Sequence, residues 1–319
     1  MAPSRLSFGI KTSQSNLTYA EILKAWLEAD AVPVFEHAWL WDHLVPLRGP
    51  VTGAALEAWT LLAALAAQTR RLRLGVIVTS NRLRPPAVLA KMAATVDVIS
   101  HGRLEFGIGA GGSENADPAL SQMVHRELDA YGIDVVTTPA AIAALGEACT
   151  IIKRMWTEDE PFGFDGRHYH LKGAVCEPKP VQRPRPPIMI GAAGERLGLR
   201  VVAEHADIWN CPTRGDVEEF RRKNAVLDEH CAAIGRDPKE IRRSVQLLVT
   251  ATPPEASPSD GRPNLPGRYD PTAARAALVE FIHAGATHLV LAPVPPYPSV
   301  QWLADEIVEP VLAVVGGRD

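Results

Sequence analysis

The chain has 319 residues, 46% of them hydrophobic and 22% charged, with a formal net charge of -4 and a mean hydropathy of -0.02. Such a composition describes a soluble globular protein, leaves no uninterrupted apolar stretch able to span a bilayer, and offers no basic footprint for DNA or RNA. At this length one α/β barrel over residues 1–319 accounts for the chain as a single domain.

Short β-type runs alternate with helical periodicity along the whole chain. Strands are predicted at Leu6–Ile10, Ala38–Trp41, Leu72–Val78, Leu104–Ile108, Ile188–Ile190, Asp207–Trp209, Ser244–Val249 and Thr287–Leu291. Helices are predicted over 18–30, 54–68, 86–100, 139–156, 196–204, 215–233, 271–283 and 299–314. Eight strands, each followed by a helix, predict a closed (β/α)8 TIM-type barrel, with a doubly wound open sheet as the alternative.

Three stretches break the rhythm. Gly112–Glu127 is polar and loop-like after the fourth strand, and Pro253–Pro271 is a Pro/Gly-rich loop after the seventh. Both are expected at the C-terminal face, where barrel active sites are assembled. Phe162–Leu171 reads as a hairpin, followed by a Pro/Arg-rich connector to Pro187. The residues Met1–Phe8 lack the basic start and apolar core of a signal peptide, which predicts a cytoplasmic protein. Cys149, Cys176, Cys211 and Cys231 form no CxxC or zinc pattern, and His168 with His170 lacks a third ligand, so no metal is expected.

The chemistry is expected at the strand ends. Trp41-Asp42-His43 follows the second strand, where histidine suits proton exchange near neutrality and a carboxylate can either orient a ligand or cap the loop. Gly75-Val-Ile-Val-Thr-Ser-Asn81 ends the third strand, and Arg82 and Arg84 follow it. Gly107-Ile-Gly-Ala-Gly-Gly112 exposes backbone after the fourth. It mimics part of a dinucleotide fingerprint, with Glu127 twenty residues beyond Gly107, but lacks the helix and second strand of a Rossmann unit. Pro187-Ile-Met-Ile-Gly-Ala-Ala-Gly-Glu-Arg196 runs a strand through small residues into a helix. This arrangement attracts phosphate to free N–H groups, or else only permits close helix packing. It has no P-loop lysine, so a cofactor phosphate fits better than Mg-ATP.

Taken together, these segments resemble the luciferase-like flavin and deazaflavin oxidoreductases, and within them the branch using coenzyme F420. The resemblance rests on Leu6-Ser-Phe-Gly-Ile-Lys-Thr-Ser, Trp41-Asp-His-Leu-Val-Pro46, Thr69-Arg-Arg-Leu-Arg-Leu-Gly-Val76 and Pro86-Ala-Val-Leu-Ala-Lys-Met-Ala-Ala-Thr-Val-Asp97. It continues through Gly102-Arg-Leu-Glu-Phe-Gly-Ile-Gly-Ala-Gly111, Glu177-Pro-Lys-Pro-Val-Gln182 and Ile190-Gly-Ala-Ala-Gly-Glu-Arg196. It implies a TIM-like barrel, a homodimer, and a ring cofactor at the C-terminal mouth. Asp42 and His43 then match residues contacting that ring, with His43 as the catalytic proton donor or acceptor. Val76 and Ile77 match a bulged non-prolyl cis peptide, and Thr79 shares their strand end. Gly109, Ala110 and Gly111 match backbone beside the ring, while Ala192, Ala193, Gly194, Glu195 and Arg196 match the phosphate cradle.

The chain also departs from the family's pattern. Gly112 stands where the sugar-phosphate dehydrogenases of the group carry glutamate, and extra residues at about 113–124 precede Tyr131-Gly132. The family's Glu-His pair here reads Glu127-Leu128. Three functions are consistent with this sequence. One is an F420-dependent oxidoreductase moving a hydride to or from a small organic substrate. The second is an FMN-dependent monooxygenase fed by a partner reductase, and the third a barrel that binds a phosphorylated ligand without catalysis.

Overall fold

The computed structural model describes residues 5–46, 50–113, 118–212, 215–251, 268–295 and 297–316. The strands in chain order are β1 (Ser7–Lys11), β2 (Phe35–Leu40), β3 (Arg73–Val76), β4 (Thr79–Ser80), β5 (Phe106–Gly109), β6 (Phe162–Asp165) and β7 (His170–Ala174). They continue with β8 (Ile188–Gly191), β9 (Ile208–Cys211), β10 (Arg242–Val249), β11 (Arg268–Tyr269) and β12 (His288–Pro293). All except the antiparallel β6–β7 hairpin pair in parallel, in the order β3-β2-β1-β12-β10-β9-β8-β5-β4, with β11 beside β10.

β3 and β4 are two halves of one barrel position. Thr79 of β4 stands opposite Ile108 of β5; lower down, Leu74 N–H donates to Arg103 O and Glu105 N–H to Leu74 O. These bonds bring the first and last strands of the series together, so the sheet is a TIM-type barrel rather than an open doubly wound one. The expected strand Leu72–Val78 therefore stops early. Ile77 N–H still bonds Leu40 O, extending the ladder past Val76, and the cis peptide lies at Ile77–Val78 rather than at Val76–Ile77.

The outer layer comprises α1 (Tyr19–Ala31), α2 (Ala58–Gln68), α3 (Pro86–Ile99), α4 (Pro118–Ala130), α5 (Thr138–Thr157), α6 (Gly198–His205), α7 (Val217–Ala233) and α8 (Pro271–His283). The predicted helix over 299–314 resolves into α9 (Val300–Leu303), a π-type turn (Ala304–Val308) and α10 (Glu309–Gly316). Helix starts follow local chemistry. Thr18 and Glu21 make a capping box on α1, while Glu57, Asp216, Asp270 and Ser299 cap α2, α7, α8 and α9. Between barrel and helices, Trp156 packs edge-on to Phe106 at 5.1 Å and donates its indole N–H to Ala90 O at 2.9 Å.

The polar segment Gly112–Glu127, expected as a loop, is in large part helix α4. Met123, Val124, Glu127 and Leu128 fall at spacings that share one helical face, which the polar neighbours mask in a linear reading. The loop expected at Pro253–Pro271 falls mostly at 252–267, outside the described residues, and α8 begins at Pro271. Among the described residues no helix is long and apolar enough to cross a membrane.

The barrel interior holds an apolar cluster of Trp39, Ile77, Met189, Ile208 and Val290, alongside a column of polar side chains. Lys11 Nζ donates to Gln246 Oε1 at 2.6 Å, Gln246 Nε2 to Asn210 Oδ1 at 2.8 Å, and Asn210 Nδ2 to Ser244 Oγ at 3.1 Å. Ser244 Oγ lies 2.9 Å from His288 Nδ1, and His288 Nε2 approaches Glu105 Oε2 at 3.4 Å. Glu105 Oε1 accepts from Arg73 Nε at 2.7 Å, closing the base of the column. His37 stacks on His288 with ring centroids 3.9 Å apart and accepts the Trp39 indole N–H.

Burial pushes the Glu105 carboxyl up, but His288, Arg73 and His37 outweigh it and hold the group far below the usual carboxylate range. Burial, reinforced by the charge of His288, keeps His37 well below the ordinary imidazole value. Both groups bind protons more readily when unfolded. Their contribution to stability is complete above about pH 6.5 and falls as acid protonates the unfolded His37 and then, below about pH 4.5, the unfolded Glu105. Replacing Glu105 by Ala removes the carboxylate beside the buried His288 and one acceptor of Arg73, which keeps Leu104 O and Gln182 Oε1, and lowers the unfolding free energy at neutral pH by about 2 kcal/mol. Urea denaturation of Glu105→Ala measures this, and an unchanged midpoint would refute it.

Candidate active site

The strand ends surround a cavity of about 580 Å³ lined mainly by apolar side chains, a size ordinary for a small-molecule or cofactor site. Of the residues predicted from sequence, Asp42, His43, Ile77, Thr79, Gly109, Ala110, Gly111, Ala192, Ala193 and Gly194 line it. Val76, Glu195 and Arg196 do not. Val76 is buried in the packing between barrel and helices. Glu195 turns outward, pairing with Arg222 on α7, while its carbonyl accepts from His230 Nε2 at 2.7 Å. The part of this loop that faces the cavity is therefore Ala192–Gly194, without the two charged side chains that follow.

His43 leaves the end of β2 beside Trp41, whose ring meets the imidazole edge-on at 5.8 Å. Its Nδ1 lies 2.9 Å from Glu127 Oε2, and Glu127 Oε1 accepts the Leu44 N–H at 2.6 Å. Burial raises the Glu127 carboxyl, yet the bonds from His43 and Leu44 outweigh it and keep the group below its usual value. An ionised carboxylate can only accept, so the proton on this edge sits on Nδ1. In the neutral ring Nε2 is left as the acceptor.

Asp42 takes a different part. Its carboxylate accepts two bonds from Arg84, at 2.8 and 3.0 Å, and the Ser80 N–H at 2.9 Å. Arg84 also reaches Glu57, the N-cap of α2. Asp42 thus fixes the rim, its oxygens committed to protein partners, and His43 carries the free polar atom.

The Ile77–Val78 segment forms one wall. Val78 packs where side chains at Gly109 and Gly191 would otherwise stand, since a Cβ at either position would come within 2.8 and 2.9 Å of it. Gly111, with φ +81°, turns the chain away after β5. Opposite, Trp209 Nε1 donates to Ala192 O at 2.9 Å and Leu199 N–H to Gly194 O at 2.9 Å, fixing the loop before α6. The N–H groups of Ala193, Gly194 and Glu195 find no protein acceptor among the described residues, and a Cβ at Gly194 would meet nothing closer than 4.0 Å. Free donors beside open space fit a phosphate, and the apolar cavity between them and His43 fits a flat ring.

Glu127, Asn210 and Gln246, which line the cavity, and Arg84, which holds Asp42, are neighbours that sequence reasoning left without a role. Glu127 was visible only as half of an altered Glu-Leu pair and as the acidic residue twenty positions beyond Gly107, and Arg84 only as a basic residue after the third strand; their partners lie 84 and 42 residues away in the chain. His168 precedes β7, which begins at His170, and the His170 Nδ1 lies 2.7 Å from Asp165 Oδ1. Among the described residues no group of three or more His, Cys, Asp or Glu side chains could hold a metal, and all four cysteines are buried free thiols.

The chain resembles known proteins in sequence and in fold. It is 32% identical over 203 residues to a phthiodiolone/phenolphthiodiolone dimycocerosates ketoreductase of Mycobacterium sp. (strain JLS), an alignment covering 63% of this chain and 49% of that protein. The chain thus spans about half the length of that relative. An F420-dependent secondary alcohol dehydrogenase, solved with an F420-acetone adduct, superposes with a TM-score of 0.76 at 18% identity, covering 97% of this chain and 99% of that one. An EDTA monooxygenase from Chelativorans sp. BNC1 superposes with a TM-score of 0.74 at 14% identity, covering 97% and 94%. The family model for luciferase-like monooxygenases matches residues 3–288, nearly the whole barrel, and the chain belongs to that family.

Proposed function

We propose that the chain is an F420-dependent oxidoreductase that moves a hydride between the deazaflavin ring and a small organic carbonyl or alcohol. The observation that carries this reading is the His43–Glu127 pair, set in one cavity with the bare Ala192–Gly194 backbone. The alcohol dehydrogenase with its F420-acetone adduct and the ketoreductase relative support the substrate class. When bound, the deazaflavin supplies the two-electron hydride chemistry. The protein supplies position and proton handling. Ala193 and Gly194 would hold the phosphate by their N–H groups, while Ile77, Val78 and Gly109 bound the ring space. Met123, Val124 and Leu128 of α4 keep water from the opposite side. His43 Nε2 takes a proton from an alcohol oxygen or returns one to a carbonyl oxygen, and Glu127 stabilises the imidazolium in between. The EDTA monooxygenase and a riboflavin lyase solved with modified FMN, of nearly equal structural likeness, keep an FMN-dependent monooxygenase as the second reading.

Anaerobic fluorescence titration with F420 and with FMN separates the two. Saturable F420 binding is expected; FMN binding without F420 binding transfers the site to the monooxygenase reading, and binding of neither ends both. With F420 bound, His43→Ala is expected to lower kcat by about 100-fold or more, with cofactor affinity kept within about threefold. Equal loss in both would make His43 a binding residue only. Gly194→Val, which the fold accommodates, is expected to weaken cofactor binding at least about tenfold by covering the N–H groups. Unchanged affinity would remove the phosphate from this loop.

A further inference from the structure

Lys11 is the cation at the cavity end of the column described above, and its position follows from strand alternation. β1 ends at Lys11, an inward position two residues beyond Gly9, so the ammonium reaches the barrel axis just beneath the cavity. Its Nζ bonds Gln246 Oε1 at 2.6 Å and lies 5.9 Å from the centre of the Trp41 ring. Trp41, Gln246 and Asn210 all line the cavity.

The direction of the hydrogen bonds matters here. Lysine can only donate while charged, so Gln246 must present its oxygen to Lys11 and its nitrogen to Asn210. Asn210 Oδ1 is then used by Gln246, and its nitrogen turns to Ser244. Each amide oxygen at this end of the column already accepts one protein donor, and the positive charge on Lys11 beside Gln246 favours an electron-rich neighbour over a further donor. What remains is one uncommitted proton on each of Gln246 Nε2 and Asn210 Nδ2, because each amide nitrogen carries two and is bonded once.

We infer that Lys11 is a positioning residue that fixes both amides at the cavity floor, making the floor a hydrogen-bond donor surface for an oxygen-bearing, electron-rich ligand edge. It acts through Gln246 and Asn210, without needing to touch the ligand. The chemistry of the occupant rests on the flavin-type reading of the cavity; the amide orientation does not. An electron-rich edge belongs either to the ring's carbonyl groups or to a substrate oxygen, and the two are separable by experiment.

The charge on Lys11 can be switched. Burial alone pushes its ammonium down to about 8. The other titratable groups around it are committed elsewhere: Asp42 to Arg84 and His43 to Glu127 at the end of β2, His37 and His288 deeper in the barrel, and Arg242 of β10 to Ser7.

The side-chain amide resonances of Gln246 and Asn210, assigned with Gln246→Glu and Asn210→Asp, can be followed in the ligand-free protein from about pH 6.5 to about pH 9.5. Both are expected to shift together with a midpoint near pH 8, and to lose that titration in Lys11→Met and in Lys11→Arg, whose charge does not titrate in this range. Titration that persists in the variants, or amides insensitive to pH in the original chain, overturns the inference whatever the cavity binds. In the second arm, Lys11→Met is expected to bind F420 or FMN about tenfold more weakly, with Lys11→Arg retaining affinity, if the edge belongs to the ring. Unchanged cofactor affinity with a KM for a ketone substrate raised by a similar factor assigns the edge to the substrate; no change in either overturns the donor floor. Coupled amides in a protein that binds neither cofactor overturn the flavin-type reading and leave the positioning role of Lys11 standing.

Discussion

One partly buried guanidinium ties the strand-end face of the barrel together. Arg84 reaches Asp42 at the end of β2 and Glu57 at the start of α2, while Asp42 also accepts the Ser80 N–H of β4. Both ends of the β2–α2 connection are therefore tied to the β4–α3 loop through one planar fork, a geometry that lysine could not reproduce. His43 follows Asp42 directly, so its position is inherited from this junction. The adjoining Ile77–Val78 wall lies between β3 and β4 and shares the same anchor through Ser80.

The barrel below that rim is of mixed character, and the mixture divides the labour. Outward-facing strand residues and helix faces form a continuous apolar layer that accounts for folding in the ordinary way. The inward side carries a small apolar cluster and a polar column from Lys11 to Glu105. Buried polar groups are tolerable only when paired, and here almost every atom along the column has a partner. A purely aliphatic interior would pack as well, but it would not set the orientation of amides at the cavity floor.

Much of this was legible in the sequence because the barrel repeats a local signal. Strand and helix positions follow alternation and helical periodicity, and the small residues at Gly109–Gly111 and Ala192–Gly194 announce bare backbone wherever they fall. Legibility ended where partners come from distant segments. His43 stood out as a proton-handling residue, but nothing local to it indicated Glu127. Asp42 stood out equally, yet Arg84 commits it to the rim. Glu195 follows the cavity-lining part of its loop and turns away from the cavity, since the presence of Arg222 on α7 decides its direction. The third strand was read too long by pattern because Ile77 and Val78 are as β-prone as their neighbours, though the chain changes course there. Helix α4 was hidden by its polarity: one apolar face suffices when the other meets water.

Helix α4 holds Met123, Val124 and Leu128 against the cavity and, between them, the carboxylate that orients His43. Under the proposed function, selectivity and acid-base chemistry share a single rigid body. A shift of this helix that widens the cavity for a bulkier molecule also moves Glu127 relative to its imidazole. In an evolving lineage, new substrates and retained turnover are then traits under joint constraint, and compensation must arise either within the same few turns or at the β2 end that faces them.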